Sequence, residues 1–197
     1  MEEQFNRKYK KVLEILPDVA ECAKGRLVLA GGTALALFYL KHRVSVDLDF
    51  VLDRGDEIKM KEELKGCLTK KGYRTIAGAF SNQFVVQFED TSIKVEVFKP
   101  DCKIRKVEEH VFGGARIRIA SLEDIFRMKI AAYRERKEAR DLFDVFCILK
   151  SKGSGFIEIE RLLSTAGKPR NIEDIEAMAV NRQDAVLFHE VVFDASP

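Results

Sequence analysis

Asp47 and Asp49 stand two residues apart in a run where Val44, Val46, Leu48 and Phe50 alternate with Arg43, Ser45, Asp47 and Asp49. Alternation with period two predicts a strand over Arg43–Phe50, with both carboxylates, Ser45 and Arg43 on the face away from the core. Two acids so placed repel each other unless a cation joins them. A hard ion such as Mg2+ takes oxygen ligands at about 2.1 Å and keeps positions for water and phosphate, and Mn2+ has similar tastes. Taken alone, Asp-x-Asp is shared by nucleotide-sugar glycosyltransferases, nucleases, calcium loops and ordinary solvated strand edges.

The upstream residues narrow the choice. Arg26–Ala30 reads as a short buried strand, and Thr33–Lys41 as a helix with Thr33 at its N-cap, so Gly31 and Gly32 form the turn between them. Free N–H groups at a helix start favour an anion, and glycines let it approach the backbone closely. A phosphate-binding turn followed by a cation-binding strand is the arrangement of a nucleoside triphosphate site. Gly31, Gly32 and Thr33 would face phosphate, with Arg43 and Ser45 as phosphate contacts or supports. Glu96 is the candidate third acid, because Ile93, Val95 and Val97 alternate with Lys94 and Glu96 on a strand Ser92–Phe98 that could pair beside the first. Three carboxylates around two metals about 3.5–4 Å apart would hold a triphosphate and activate a hydroxyl for in-line displacement of pyrophosphate. The plain alternative for Glu96 is a solvated strand acid.

Gly31-Gly32-Thr33-Ala34-Leu35, followed by His42-Arg43-Val44-Ser45-Val46-Asp47-Leu48-Asp49-Phe50, resembles the AbiEii/AbiGii toxin branch of the DNA polymerase beta-like nucleotidyltransferases. The resemblance spans Leu27 to Lys150. It implies an α+β fold, a mixed-sheet nucleotidyltransferase core flanked by helices with a helical C-terminal part. It also implies a lysine early in the C-terminal helices and an aspartate in an Arg-Asp-x-x-Asp stretch, matched here by Lys129 and by Asp141 in Arg140-Asp141-Leu142-Phe143-Asp144. Lys129 would neutralise the triphosphate, and Asp141 would orient that lysine or contact nucleotide or acceptor. Both also read as ordinary charges on a helix surface. The implied reaction moves a nucleotide from an NTP such as ATP or GTP, with Mg2+ or Mn2+, onto an RNA hydroxyl such as a tRNA end, or onto a protein. An antitoxin partner is implied as well. The third acid is Glu where the wider superfamily has Asp, and the chain is shorter than many members of the branch. A catalytically silent nucleotide-binding partner or sensor, and a glycosyltransferase, stand as the other readings of the same residues.

The elements that must position these residues follow from periodicity and breakers. An amphipathic helix carrying Tyr9, Val12, Leu13 and Leu16 runs to Cys22, with Pro17 expected to break or restart it. Glu57–Lys71 reads as a helix stopped by Gly72, and Tyr73–Ala79, Gln83–Glu89, Ser92–Phe98 and Arg116–Ala120 as strands. Helices are expected over Leu122–Tyr133, capped by Ser121, and over Ala139–Lys150, Glu158–Leu163 and Ile172–Val180. The apolar stretch Val186–Phe193 fits no single pattern. This divides into a catalytic core, 1–120, and a helical subdomain, 121–197.

With 197 residues, 46% of them hydrophobic, the chain buries one substantial core, and 34 basic against 32 acidic residues create no bulk field that demands nucleic acid or membrane. Cys22, Cys67, Cys102 and Cys147 are widely spaced and form no CxxC pair, so they are expected to be buried free thiols of a reducing compartment. His42, His110 and His189 are isolated and lack the spacing of metal ligands. Phe84 and Phe88 read as core rather than as stacking platforms. A charged N-terminus and the lack of any apolar run near 18 residues point to a cytoplasmic protein with no membrane contact.

Overall fold

The computed structural model describes residues 2–100, 102–170, 172 and 174–193. The strands are β1 (Leu27–Leu29), β2 (Leu48–Leu52), β3 (Arg74–Ala77), β4 (Gln83–Gln87), β5 (Ser92–Phe98), β6 (Val107–Phe112) and β7 (Ala115–Ala120). They form one mixed sheet in the order β3-β4-β5-β2-β1-β7-β6, with β2 parallel to β5, β1 parallel to β7 and the other pairs antiparallel. The fold is α+β, as the resemblance implied. β6 was not legible in advance because Glu108, Glu109 and His110 interrupt its alternation. It pairs with β7 across Gly113 and Gly114, both at positive φ (55° and 82°), which is where a two-residue hairpin needs glycine.

The first helix, α1 (Glu2–Ala23), runs unbroken through Pro17. Its buried stripe of Val12, Ile15, Leu16 and Val19 enters the sheet's core cluster, and that tertiary packing outweighs the roughly 3 kcal/mol a proline costs inside a helix. The proline ring also packs where a Cβ on Gly113 would otherwise stand. α3 (Glu57–Lys70) lies beside α1, and Cys22 on α1 bonds to Cys67 on α3 with their Cα atoms 5.8 Å apart. The expectation of four free thiols is therefore corrected: among the described residues Cys102 and Cys147 are free, and a separation of 45 residues in sequence concealed neighbours in space.

Beyond the sheet come α4 (Leu122–Arg136), α5 (Ala139–Ser151), α6 (Ile157–Ala166), α7 (Asp174–Met178) and α8 (Arg182–Phe193). Ser121 caps α4 by accepting from the Asp124 amide, as expected. The stretch that fitted no pattern lies in α8, where Phe188 is buried. These helices close over a second apolar cluster in which Phe143, Phe146, Phe156 and Phe188 meet ring to ring at 4.9–6.1 Å between centroids. Among the described residues no helix is long and apolar enough to cross a membrane.

Candidate active site

β2 and β5 run parallel with Asp49 opposite Glu96. Leu48 and Phe50 on one strand and Val95 and Val97 on the other join the core with α1 and α3, so Asp49, Lys94 and Glu96 must leave by the opposite face. That face opens into a cavity of about 570 Å³, between the sheet and α4, also lined by Gly31, Gly32, Arg43, Ser45, Asp47, Lys129 and Arg136. The strand expected over Arg43–Phe50 is realised only from Leu48 onward. Upstream of it the backbone finds other partners: Val44 N donates to Met178 O, Val180 N donates to His42 O, and Asp47 O accepts from the Thr33 hydroxyl. Two of these bonds make an isolated antiparallel bridge between Arg43 and Ala179, so this stretch pairs with the segment after α7 rather than with the sheet.

The glycine turn lies directly against the acids. Gly31 has φ +67°, and a Cβ there would collide with the Asp49 carboxylate; one on Gly32 would collide with the Arg43 guanidinium and the Ser45 hydroxyl. Glycine is thus required twice, for backbone conformation and for closeness. The helix after the turn starts at Gly31 rather than Thr33: α2 (Gly31–Ala34) has Ala30 at its N-cap and continues as a π-helical segment, Leu35–Leu40. Thr33 is not a cap. It is fully buried, and its hydroxyl lies 3.0 Å from that of Ser45 while donating to Asp47 O, which ties the turn to the acidic segment.

Lys94 reaches across the acids, with Nζ 3.2 Å from Asp47 Oδ2 and 3.9 Å from Glu96 Oε2. Glu96 is held from the far side, where Asn82 Nδ2 donates to Oε1 (3.1 Å) and the buried Gln83 donates from Nε2 to Oε2 (2.8 Å). Burial pushes the Asp49 carboxyl above its ordinary value; Lys94 opposes the shift and Asp47 reinforces it. The donor set is all oxygen, which suits Mg2+ or Mn2+, and the lysine ammonium already stands in as a cation among it. Among the described residues no three of His, Cys, Asp and Glu are gathered closely enough to form a ready-made metal cage.

Behind the cavity lies a buried ionic hub. Asp144, fully buried, accepts from Arg43 Nε (2.6 Å) and Nη2 (2.8 Å), from His42 Nε2 (2.6 Å) and from Lys129 Nζ (2.8 Å). Asp141, equally buried, accepts from Lys129 Nζ (2.8 Å) and from Arg136 Nε (2.6 Å) and Nη2 (3.0 Å). Burial alone would raise both carboxyls, but Arg43 and Lys129 hold Asp144 well below the usual range, and Lys129 with Arg136 hold Asp141 below it. Three cations face two anions, so the hub turns net positive charge toward the cavity.

Of the residues singled out in sequence, Gly31, Gly32, Arg43, Ser45, Asp47, Asp49, Glu96 and Lys129 line one cavity, while Thr33 and Asp141 stand behind its wall. Arg43 spends its guanidinium largely on Asp144, and Asp141 touches only Lys129 and Arg136 among the site's side chains. Asp144, Arg136 and Lys94 were missed. The i, i+3 spacing of Asp141 and Asp144 on α5, which places both on one helix face, was the available signal for Asp144.

A family model described as "Nucleotidyl transferase AbiEii toxin, Type IV TA system" matches residues 15–195. The chain belongs to the AbiEii family. With membership come the nucleotidyltransferase class and the toxin–antitoxin setting, and the resemblance read from the glycine turn and paired acids holds. No curated protein sequence matches the chain. Among solved structures it is similar to a candidate nucleotidyltransferase from H. pylori, at 22% identity over 100% of this chain and 99% of that one, with a TM-score of 0.51. It is also similar to an antigenic nucleotidyltransferase-like protein from Paracoccidioides brasiliensis, at 17% identity over 85% and 96% of the two chains and a TM-score of 0.52. Both likenesses are of fold, and they agree with the AbiEii assignment.

Proposed function

We propose that this AbiEii-family protein transfers a nucleotide from an NTP such as ATP or GTP, bound with Mg2+ or Mn2+, onto a hydroxyl of an RNA such as a tRNA end. The observation that supports it most is the close approach of the Gly31-Gly32 turn to the Asp49 carboxylate, by which the start of a helix and the acids share one wall of one cavity. Residues 1–120 would carry the turn and the acids, and residues 121–197 the lysine that completes the site. Asp47, Asp49 and Glu96 would hold the metal, which when bound neutralises phosphate charge and lowers the pKa of the attacking hydroxyl.

The chain's own residues supply the rest. N–H groups of the turn, with Ser45 and Arg43 packed beneath Gly32, cradle the phosphates. Lys129, fixed between Asp141 and Asp144, presents positive charge to the triphosphate; Asp141 and Asp144 are positioning residues. Glu96, steadied by Asn82 and Gln83, accepts the proton of the attacking hydroxyl. The hydroxyl oxygen bonds to the α-phosphorus, the α–β phosphoanhydride bond breaks, and pyrophosphate leaves with the bonding electrons. Transfer of label from each α-labelled NTP to total tRNA, with Mg2+, tests the reading. Label on RNA with wild type and none with Asp47→Ala supports it; no transfer, or equal transfer by both, refutes it. A nucleotide-binding protein without turnover is the second reading, favoured by the Lys94 ammonium seated on Asp47, and it predicts NTP binding without pyrophosphate release. An antitoxin, the partner that the family setting suggests, would act on either form.

A further inference from the structure

We infer that Lys94 is a resident counter-ion of the acidic cluster, a tethered ammonium that holds the metal's place and must be displaced for the metal to bind. The inference rests on the metal-site reading above and goes beyond it by giving a role to a residue that reading does not use. Lys94 lies on β5 two residues before Glu96, so the two side chains share the cavity face. Its Nζ reaches carboxylates from two different segments, Asp47 Oδ2 just ahead of β2 at 3.2 Å and Glu96 Oε2 on β5 at 3.9 Å. Among the described residues it is the one cation in an ion pair with Asp47. Lys129 makes its pairs with Asp141 and Asp144, and Arg43 and Arg136 are likewise committed to that hub.

A divalent ion and an ammonium compete for the same oxygen lone pairs, and like charges cannot share them at close range. Lys94 is about one-third exposed (35%) and projects into the cavity, so its flexible stem has room to swing away. In the metal-free protein the ammonium relieves repulsion between the neighbouring acids, and in doing so it lowers the affinity for free metal. It acts through the carboxylates and is a positioning residue.

The test is a Mn2+ titration followed by electron paramagnetic resonance, without nucleotide, on wild type, Lys94→Met, Lys94→Gln, Lys94→Arg and Asp47→Asn, each checked for native circular dichroism. Removing the charge should tighten Mn2+ binding roughly two- to fivefold, the upper part of the range expected for a partly exposed ion pair. Lys94→Arg should stay within about twofold of wild type, because the charge is retained. The neutral variant that folds decides the matter, Gln standing in for Met if Met does not. Equal or weaker Mn2+ binding by it, with Asp47→Asn weakened, overturns the role of Lys94 and leaves the metal site standing. Asp47→Asn binding Mn2+ as well as wild type overturns the metal-site reading, and the role of Lys94 with it.

Discussion

Replacing Asp144 by Asn keeps the side chain's volume and removes its charge, which makes it the sharpest probe of the hub behind the cavity. The carboxylate now accepts four close contacts, two of them from Arg43 at 2.6 and 2.8 Å and one each from His42 and Lys129. An amide offers one acceptor oxygen, and its NH2 would point at groups that are themselves donors. Lys129 keeps Asp141, but Arg43, nearly buried at 4% side-chain exposure, is left with the Val44 carbonyl and no anion. Stranding one charge of a buried pair costs about 3–5 kcal/mol. For a chain of this size that corresponds to a fall in Tm of roughly 6–20 °C. Urea unfolding and a double-mutant cycle with Arg43→Met measure it, since removing the stranded cation should recover part of the loss and give a coupling of at least about 1 kcal/mol. A loss under about 1 kcal/mol for Asp144→Asn, or strict additivity with Arg43→Met, would refute the reasoning.

Three further outcomes are expected. Gly31→Ala forces a side chain into the left-handed region and into the Asp49 carboxylate, and should cost about 1–3 kcal/mol by thermal denaturation while abolishing binding of a triphosphate analogue in calorimetry. Breaking Cys22–Cys67 with dithiothreitol, or with Cys22→Ser, opens a link across 45 residues and should cost up to about 4 kcal/mol, with non-reducing mass spectrometry showing the bond in untreated protein. Asp141 and Asp144 have folded-state pKa values below their ordinary ones, so their stabilisation is complete above the unfolded value near 4 and is lost as pH falls through the folded values. Urea midpoints should therefore fall steeply below about pH 4, and less steeply in Asp144→Asn.

The α+β class, the family and the grouping of turn and acids were legible because they rest on local pattern: alternation on β5, a strand–glycine–helix order, and acids spaced by two. What escaped was set by partners distant in sequence. Arg43 to Asp47 alternate like a strand, yet their backbone bonds run to Thr33 and to the segment around α7, where Arg43 bridges Ala179, so they do not extend β2 within the sheet. Pro17 reads as a breaker, but the burial of α1 overrules it. Cys22 and Cys67 meet only because α1 and α3 pack side by side, and Asp144 gains its importance from Arg43, 101 residues away in sequence. The glycosyltransferase reading of Asp47 and Asp49 gives way to the AbiEii assignment.

The most direct measurement is a crystal structure of the protein soaked with Mn2+ and a non-hydrolysable ATP or GTP analogue, with the anomalous signal locating the metal. Phosphate oxygens on the Gly31 and Gly32 amides and a manganese peak between Asp47 and Asp49 are the predicted result. A triphosphate bound elsewhere, or a metal that leaves both aspartates untouched, would contradict the account.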